Sequence, residues 1–336
     1  MRVDDGGPGR RVTVVGGGVI GLTCALELAR AGHSVRVLTA DPVERTASAV
    51  AAALWFPYHA APLDAVLRWA ATTLRVLSEL AADPATGVLL LPGTVVSRNP
   101  EPDLWWTPAV PEHRPATPDE LPPGVPAGTR CTVPVADMGR YLAWLLAACR
   151  AAGVEVESAR VQRLDEVPGD VVVLAAGLGS GPLLGDDSGV AVQGQVVRLA
   201  DPGLDGWLLD EDNPAGLTYV VPRGGDVVCG GTAVAGATGT DCDPAVEAAV
   251  LERVHTLVPA LRGAAVLSRA VGLRPGRPTV RLERLVVDGR PVIPCYGHGG
   301  AGMTLSWGCA ADVVGLLKDP VLPTPRKLGA VPWTGP

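Results

Sequence analysis

Short β-branched runs that stop at glycines alternate along this chain with stretches whose apolar residues recur every three or four positions. Arg11-Val-Thr-Val-Val15 has the pattern of a buried parallel strand, and three glycines follow it at once. Leu22 to Ala31 carries helical spacing and stops at Gly32, a C′ residue. His33-Ser-Val-Arg-Val-Leu38 predicts a second strand, so the chain opens with a βαβ unit. Asp64 to Ala82 predicts a helix with Val66, Leu67, Leu74, Leu77 and Leu80 on its apolar face. Between Pro92 and Pro134 the prolines at 100, 102, 108, 111, 115, 118, 122, 123 and 126 leave little room for long regular elements. Excursions and edge strands are expected there, with Leu104-Trp105-Trp106 as a covering flap.

Regularity returns with a helix over Asp137 to Ala152, then strands at Val154-Glu-Val156 and Val171-Val-Val-Leu174. Gln195 to Leu199, Thr218 to Val221 and Asp226 to Cys229 predict a second, largely antiparallel sheet. Arg223-Gly-Gly-Asp226 supplies the hairpin turn between the last two strands. A helix over Pro244 to Val258 and strands over Val266 to Leu273 and Val280 to Asp288 lead to the C-terminal turn and helix. No internal repeat interrupts the order, and the proline-rich tail from Pro320 is expected to be loosely ordered.

With 336 residues, 47% of them hydrophobic and 19% charged, the chain can bury a sizeable core. A net charge of −7 without any basic run gives no footprint for nucleic acid. Seven scattered cysteines with no CxxC pair point to reduced thiols rather than a disulfide framework. The opening MRVDDGGPGR has no apolar core for a signal peptide, and the longest helical apolar run, Leu142 to Ala148, is too short to span a bilayer. A cytoplasmic enzyme is the expectation.

Gly16-Gly-Gly18-Val-Ile-Gly21 sits between the first strand and the first helix, the context a GxGxxG motif requires. Gly16 permits the tight turn, and Gly18 lets the backbone, with Val19 and Ile20 behind it, approach a pyrophosphate. Gly21 lets the helix pack on the strand. Asp41, about twenty residues on, falls where a carboxylate meets a ribose hydroxyl. The motif alone does not separate NAD from FAD. A second glycine turn, Tyr296-Gly-His-Gly-Gly-Ala-Gly-Met-Thr304, opens the last helix. Its N–H groups at Gly302, Met303 and Thr304 and its positive dipole end suit a ligand atom that becomes negative during reaction. Together the two turns point to a flavin held between the ends of the chain.

Three further segments carry a resemblance. Thr46-Ala-Ser48 leads into Ala51-Ala-Ala-Leu-Trp-Phe-Pro-Tyr58, and Gly272-Leu-Arg-Pro-Gly-Arg-Pro278 precedes Val280-Arg-Leu-Glu283. The third is Tyr296 to Ala310. With the N-terminal glycine motif, these resemble the D-amino-acid oxidase family in order and spacing, most densely at 12–58, 216–231 and 271–310.

The resemblance implies an α/β protein: a Rossmann-like FAD-binding domain with a second mixed, largely antiparallel β-sheet substrate domain. The first is expected from residues 1–60, 137–192 and 286–336, the second from 61–136 and 193–285. The implied reaction transfers hydride from the Cα of a D-amino acid to flavin N5. O2 then takes the electrons to give hydrogen peroxide, and the imino acid hydrolyses to a 2-oxo acid and ammonia. Arg274 aligns with the arginine that forks onto the substrate carboxylate, a geometry that suits guanidinium. Tyr219 aligns with a tyrosine whose hydroxyl reaches the same carboxylate, and Gly300 with a glycine whose carbonyl accepts from the amine. Thr46 and Ser48 match hydroxyls near the FAD pyrophosphate or ribityl chain, while Gly299 to Thr304 face the ring. His298 is expected to be structural or flavin-adjacent rather than a base.

The expected partners are therefore a D-amino acid and O2, with no nucleic acid and no membrane, and a homodimer as the assembly left open. No metal is expected, since the five histidines lack ligand spacing. The chain departs from the family pattern at Pro294 and Cys295, where histidine and a residue such as asparagine usually precede Tyr-Gly, and at Phe56, where eukaryotic members carry glutamine. Asp210 to Gly216 holds no tyrosine to act as a lid, which points to an open entrance. D-aspartate oxidase shares these motifs but needs a second cation, for which Arg223 is poorly placed. Glycine or sarcosine oxidation is a weaker alternative, and an NAD-dependent dehydrogenase would leave the C-terminal turn without a job.

Overall fold

The computed structural model describes residues 9–58 and 60–318, so the expectation for the tail from Pro320 lies outside it. In chain order, β1 (Arg11–Val15), α1 (Val19–Arg30) and β2 (Ser34–Thr39) form the opening βαβ unit, followed by α2 (Ala47–Val50) and α3 (Leu63–Leu80). Next come β3 (Val88–Ser97), β4 (His113–Pro115), β5 (Ala127–Ala136), α4 (Met138–Ala151), β6 (Glu155–Ser158), β7 (Val171–Leu174) and α5 (Ser180–Leu184). The centre holds β8 (Val190–Ala200), β9 (Trp207–Asp210), β10 (Thr218–Pro222), β11 (Asp226–Gly230), β12 (Val234–Ala235) and α6 (Pro244–Leu257). The chain closes with β13 (Val266–Gly276), β14 (Arg281–Leu282), β15 (Leu285–Val287), β16 (Arg290–Tyr296) and α7 (Gly302–Lys318).

Two sheets result. In the first, β16, β7, β1, β2 and β6 lie parallel in that order, and the short β14 and β15 pair antiparallel with β16. The central strands β1 and β7 are buried on both faces, as a covered parallel sheet requires, whereas β6, Glu155-Val-Glu-Ser158, is a largely exposed edge. Val12, Val14, Val171 and Val173 point into the large core shared with α1, α4 and α7, whereas Val15, Val172 and Leu174 point into a separate cluster with Leu164, Val292 and Tyr296. The second sheet runs β12-β8-β11-β10-β9-β3-β5-β4, with β13 along the other side of β8, and its only parallel pair is β3–β9. Helix α6 covers one face through Val250 and Val254.

Two expectations fail in the proline-rich stretch. Strands β3 and β5 pair over ten residues each, from Val88 opposite Ala136 to Ser97 opposite Ala127. Pro92 stands just before the point where β9 joins β3, and Pro134 lies beyond the end of β4, so each missing N–H falls at a margin of the ladder. Pro134 still accepts the Trp55 N–H through its carbonyl at 2.9 Å. Of the prolines between the strands, Pro115 ends β4, Pro108 and Pro118 lie in short 3₁₀ segments, and the others fall in turns, bends and loops. Trp106 is not a flap: it is 2% exposed and packs on the Phe56 ring at 5.4 Å. The strand expected over Val280 to Asp288 divides into β14 and β15, and Asp288 and Gly289, both with positive φ, form the tight hairpin to β16.

Candidate functional site

A cavity of about 630 Å³ connects the two glycine turns with the inner side of the second sheet. One end is built by the β1–α1 turn. Gly16 has φ +120°, and a Cβ there would lie 2.6 Å from the Ala175 carbonyl carbon, so this position excludes a side chain twice over. Gly18 differs: its backbone is extended, and a Cβ would meet only the Ser48 hydroxyl, at 3.1 Å, on the open side of the turn. Val19 N–H donates to Ser48 Oγ at 3.0 Å, so the serine oxygen already occupies an acceptor position at the start of α1.

Gly16, Gly18, Val19, Ile20, Asp41, Thr46 and Ser48 all line the cavity. Gly21 does not; a Cβ there would overlap the Gly16 carbonyl oxygen, so this glycine serves the close approach of α1 to β1. The Asp41 carboxylate lies 3.8 Å from Arg160, and the Thr46 hydroxyl donates to the Val43 carbonyl at 2.7 Å.

The C-terminal turn forms the facing wall with Gly299, Gly300, Gly302 and Met303. Thr304 is not on the wall: it is buried, and its hydroxyl is spent on the Phe56 backbone, accepting from N–H at 3.1 Å and donating to C=O at 2.9 Å. His298 is 3% exposed, with Nε2 3.5 Å from Cys309 Sγ, and burial lowers its pKa to about 4. With its pKa lowered by burial, this imidazole is a weak proton acceptor, and its Nε2 is turned toward Cys309.

At the other end, β13 and β10 bring Arg274 and Tyr219 together. Arg274 Nη1 donates to the Thr232 carbonyl at 2.8 Å, and the guanidinium stands close to the Tyr219 phenol. Burial raises the Tyr219 pKa while the Arg274 charge opposes the shift, so the phenol keeps its proton. Among the described residues Arg274 forms no ion pair with a carboxylate. Its neighbours Arg277 and Arg281 both do, sharing Asp186 at 3.1 and 3.0 Å. A half-buried cation that faces a cavity without a counter-ion is an anion site.

Two glycines that the sequence did not single out make room for this pair. A Cβ at Gly194 on β8 would stand 2.6 Å from Arg274 Cζ, and one at Gly230 on β11 would overlap the Tyr219 phenol. Gly194→Ala is expected to displace the fork rather than the backbone. It should raise KM about 10–100-fold, roughly the worth of one charge-assisted bond, while FAD content stays unchanged. Steady-state kinetics beside a flavin absorbance ratio checks this.

Tyr58 was also missed. Its ring lies against Gly300, where a Cβ would be 2.7 Å from Cδ1, and burial pushes its pKa up to about 12. Leu209, Leu217 and Val221 continue this wall as apolar surface.

Beyond β9 the loop that lacks a tyrosine is pinned: Asp210 is fully buried, accepts from Arg98 at 2.5 Å and from Asn213 at 3.1 Å. Glu211 follows, its pKa raised to about 7 by burial and then by Asp212. An unfolded glutamate ionises near 4.5, so folding becomes less favourable as pH rises from there through 7. Glu211→Gln should therefore raise Tm at pH 8 and have little effect at pH 5; equal shifts at both would remove the ionisation from the explanation.

Comparison with known proteins agrees with this geometry. A family model described as FAD dependent oxidoreductase matches residues 11–316. The D-amino-acid oxidase of Rubrobacter xylanophilus is 49% identical over 91% of this chain and 95% of its own, and that of Streptomyces coelicolor 43% identical over 91% and 96%. Human D-aspartate oxidase is 33% identical over 92% and 95%. Among solved structures, a glycine oxidase from Bacillus cereus superimposes with a TM-score of 0.75 at 22% identity, covering 92% of this chain and 96% of that one, a likeness of fold.

The chain is thus an FAD dependent oxidoreductase. Within that class it belongs to the D-amino-acid oxidase family.

The residues present fit FAD. The cavity volume falls in the range of about 300–1,000 Å³ usual for cofactor sites, and the open side of Gly18 leaves the space a phosphate group needs at the start of α1. Among the described residues no helix is long and apolar enough to cross a membrane.

Proposed function

We propose that this protein oxidises D-amino acids with neutral, largely apolar side chains, using O2 and yielding a 2-oxo acid, ammonia and hydrogen peroxide. The observation that carries the reading is Arg274, facing the cavity beside Tyr219 without a carboxylate partner among the described residues. Bound FAD would supply the two-electron acceptor and the passage of those electrons to oxygen.

The chain's own residues do the positioning. Arg274 and Tyr219 hold the substrate carboxylate, and the Gly300 carbonyl accepts from the neutral amine. With two of the four Cα substituents fixed, Cα–H has one direction left, toward the cofactor face. An L-enantiomer on the same anchors would turn its side chain there instead. No side-chain base is required. With FAD bound, the N–H groups of Gly302 and Met303 at the start of α7 would be placed to stabilise negative charge on the cofactor. We assign residues 1–60, 137–192 and 286–336 to the cofactor part and 61–136 and 193–285 to the substrate part.

Neutral side chains are favoured over acidic ones by the lining. The Arg223 guanidinium is taken up by Asp226, at 2.9 and 2.5 Å. Arg45 and Arg160, the other arginines on the cavity wall, come from segments flanking the Asp41 end. Glu211 lies close enough to Tyr58 to help raise its phenol, and its own charge opposes an acidic side chain. Peroxide production measured across D-alanine, D-valine and D-aspartate tests the reading. Higher kcat/KM for D-aspartate would replace it with the D-aspartate oxidase alternative.

A further inference from the structure

Cys295 at the end of β16, His298 in the turn and Cys309 on α7 meet behind the C-terminal turn, where Cys24 on α1 joins them from the other end of the chain. The donor atoms of Cys295, His298 and Cys309 all lie within 4.8 Å of one another. Cys24, also buried, adjoins Cys295 from behind. We infer that Cys295, His298 and Cys309 form a binding site for one thiophilic divalent cation such as Zn²⁺, reached through the FAD cavity and therefore filled in competition with FAD.

Geometry supports the assignment. Zinc takes sulfur at about 2.3 Å and nitrogen at about 2.0–2.1 Å with tetrahedral angles, which sets the edge between the two donors at about 3.6 Å. Cys309 Sγ and His298 Nε2 are already 3.5 Å apart. The widest pair in the set has only to close by about 1 Å to reach a sulfur–sulfur edge of about 3.8 Å.

The charge also balances. Binding displaces one proton from each of two thiols, so two thiolates and a dication sum to zero in a site where any net charge is costly. A neutral imidazole at His298 adds no charge to this sum.

Access sets the regulation. Cys295 and His298 are on the cavity wall, while Cys309 is fully buried behind them. A flavin in the cavity closes the way in, and a metal on His298 fixes the turn from which Gly299 and Gly300 face the flavin. By linkage, each ligand weakens the other by the same factor.

The test uses full-length protein, FAD-loaded and stripped of flavin, with Cd²⁺ as the spectroscopic probe. Stripped protein is expected to take up one Cd²⁺ per chain, with a sulfur-to-cadmium charge-transfer band, and FAD-loaded protein to show none. Cys309→Ser should lose the band yet bind FAD and keep its circular dichroism; Cys242→Ser, at an exposed thiol, should keep the band. Equimolar Zn²⁺ should raise the apparent Kd for FAD at least tenfold in the parent chain and leave it unchanged in Cys309→Ser. A band that survives Cys309→Ser, equal uptake by FAD-loaded protein, no uptake by stripped protein, or a Zn²⁺-independent Kd overturns the proposal. The cadmium band needs no substrate, so its failure is distinct from failure of the D-amino-acid reading.

Discussion

Arg274→Ala should yield a yellow, folded protein whose kcat/KM for D-alanine has fallen by two to four powers of ten. Two charge-assisted bonds at about 1.5–3 kcal/mol each are lost, about 3–6 kcal/mol together, and each 1.4 kcal/mol is tenfold. FAD is retained because the β1–α1 glycine turn makes no close approach to Arg274. Its main-chain partner, the Thr232 carbonyl, belongs to the substrate sheet's periphery rather than to the core. Arg274→Lys keeps the charge but not the fork and should recover only part of the loss. Wild-type turnover in Arg274→Ala would place the carboxylate elsewhere.

The second large effect is expected on the cofactor. Gly18→Val should leave a folded chain that purifies colourless and binds added FAD at least a hundredfold more weakly. The backbone at Gly18 is extended, which valine tolerates, and the first obstacle is the movable Ser48 hydroxyl at 3.1 Å. The branched side chain would nonetheless stand over the N–H groups that face the cavity at the start of α1. Gly16→Ala is the contrast: positive φ and a backbone carbonyl in the way should damage folding itself. Circular dichroism separates the two outcomes, and flavin fluorescence gives the affinity.

The parallel sheet was legible because its central strands are buried on both faces, and Val171 to Leu174 is a strand with the bounds its apolar run indicates. The hairpin at Arg223 to Asp226 was legible from its glycines. Strands β3 and β5 were not, because the density of prolines masks the fact that Pro92 and Pro134 sit where the ladder needs no N–H. At the site, Arg274 was marked by its segment, and the structure brings Tyr219 to it. Gly194 and Gly230 carry no local signal, since their role is to stay out of the way of side chains on neighbouring strands. Glycines at strand positions facing a buried arginine and tyrosine are what a reader could have sought. The meeting of Cys295, His298 and Cys309 is local to one strand–turn–helix segment, but the spacing alone does not show that the turn folds Cys309 back onto the other two. Thr304, expected to offer its N–H to the ligand, lies off the cavity wall, and its hydroxyl is spent on the Phe56 backbone.

The most direct measurement is the visible spectrum of the purified protein during anaerobic titration with D-alanine and, separately, L-alanine. The account expects a flavin band that bleaches with the D-enantiomer, persists with the L-enantiomer and returns on admission of air. A band that bleaches equally with both, or a protein that stays colourless after incubation with FAD, would contradict it.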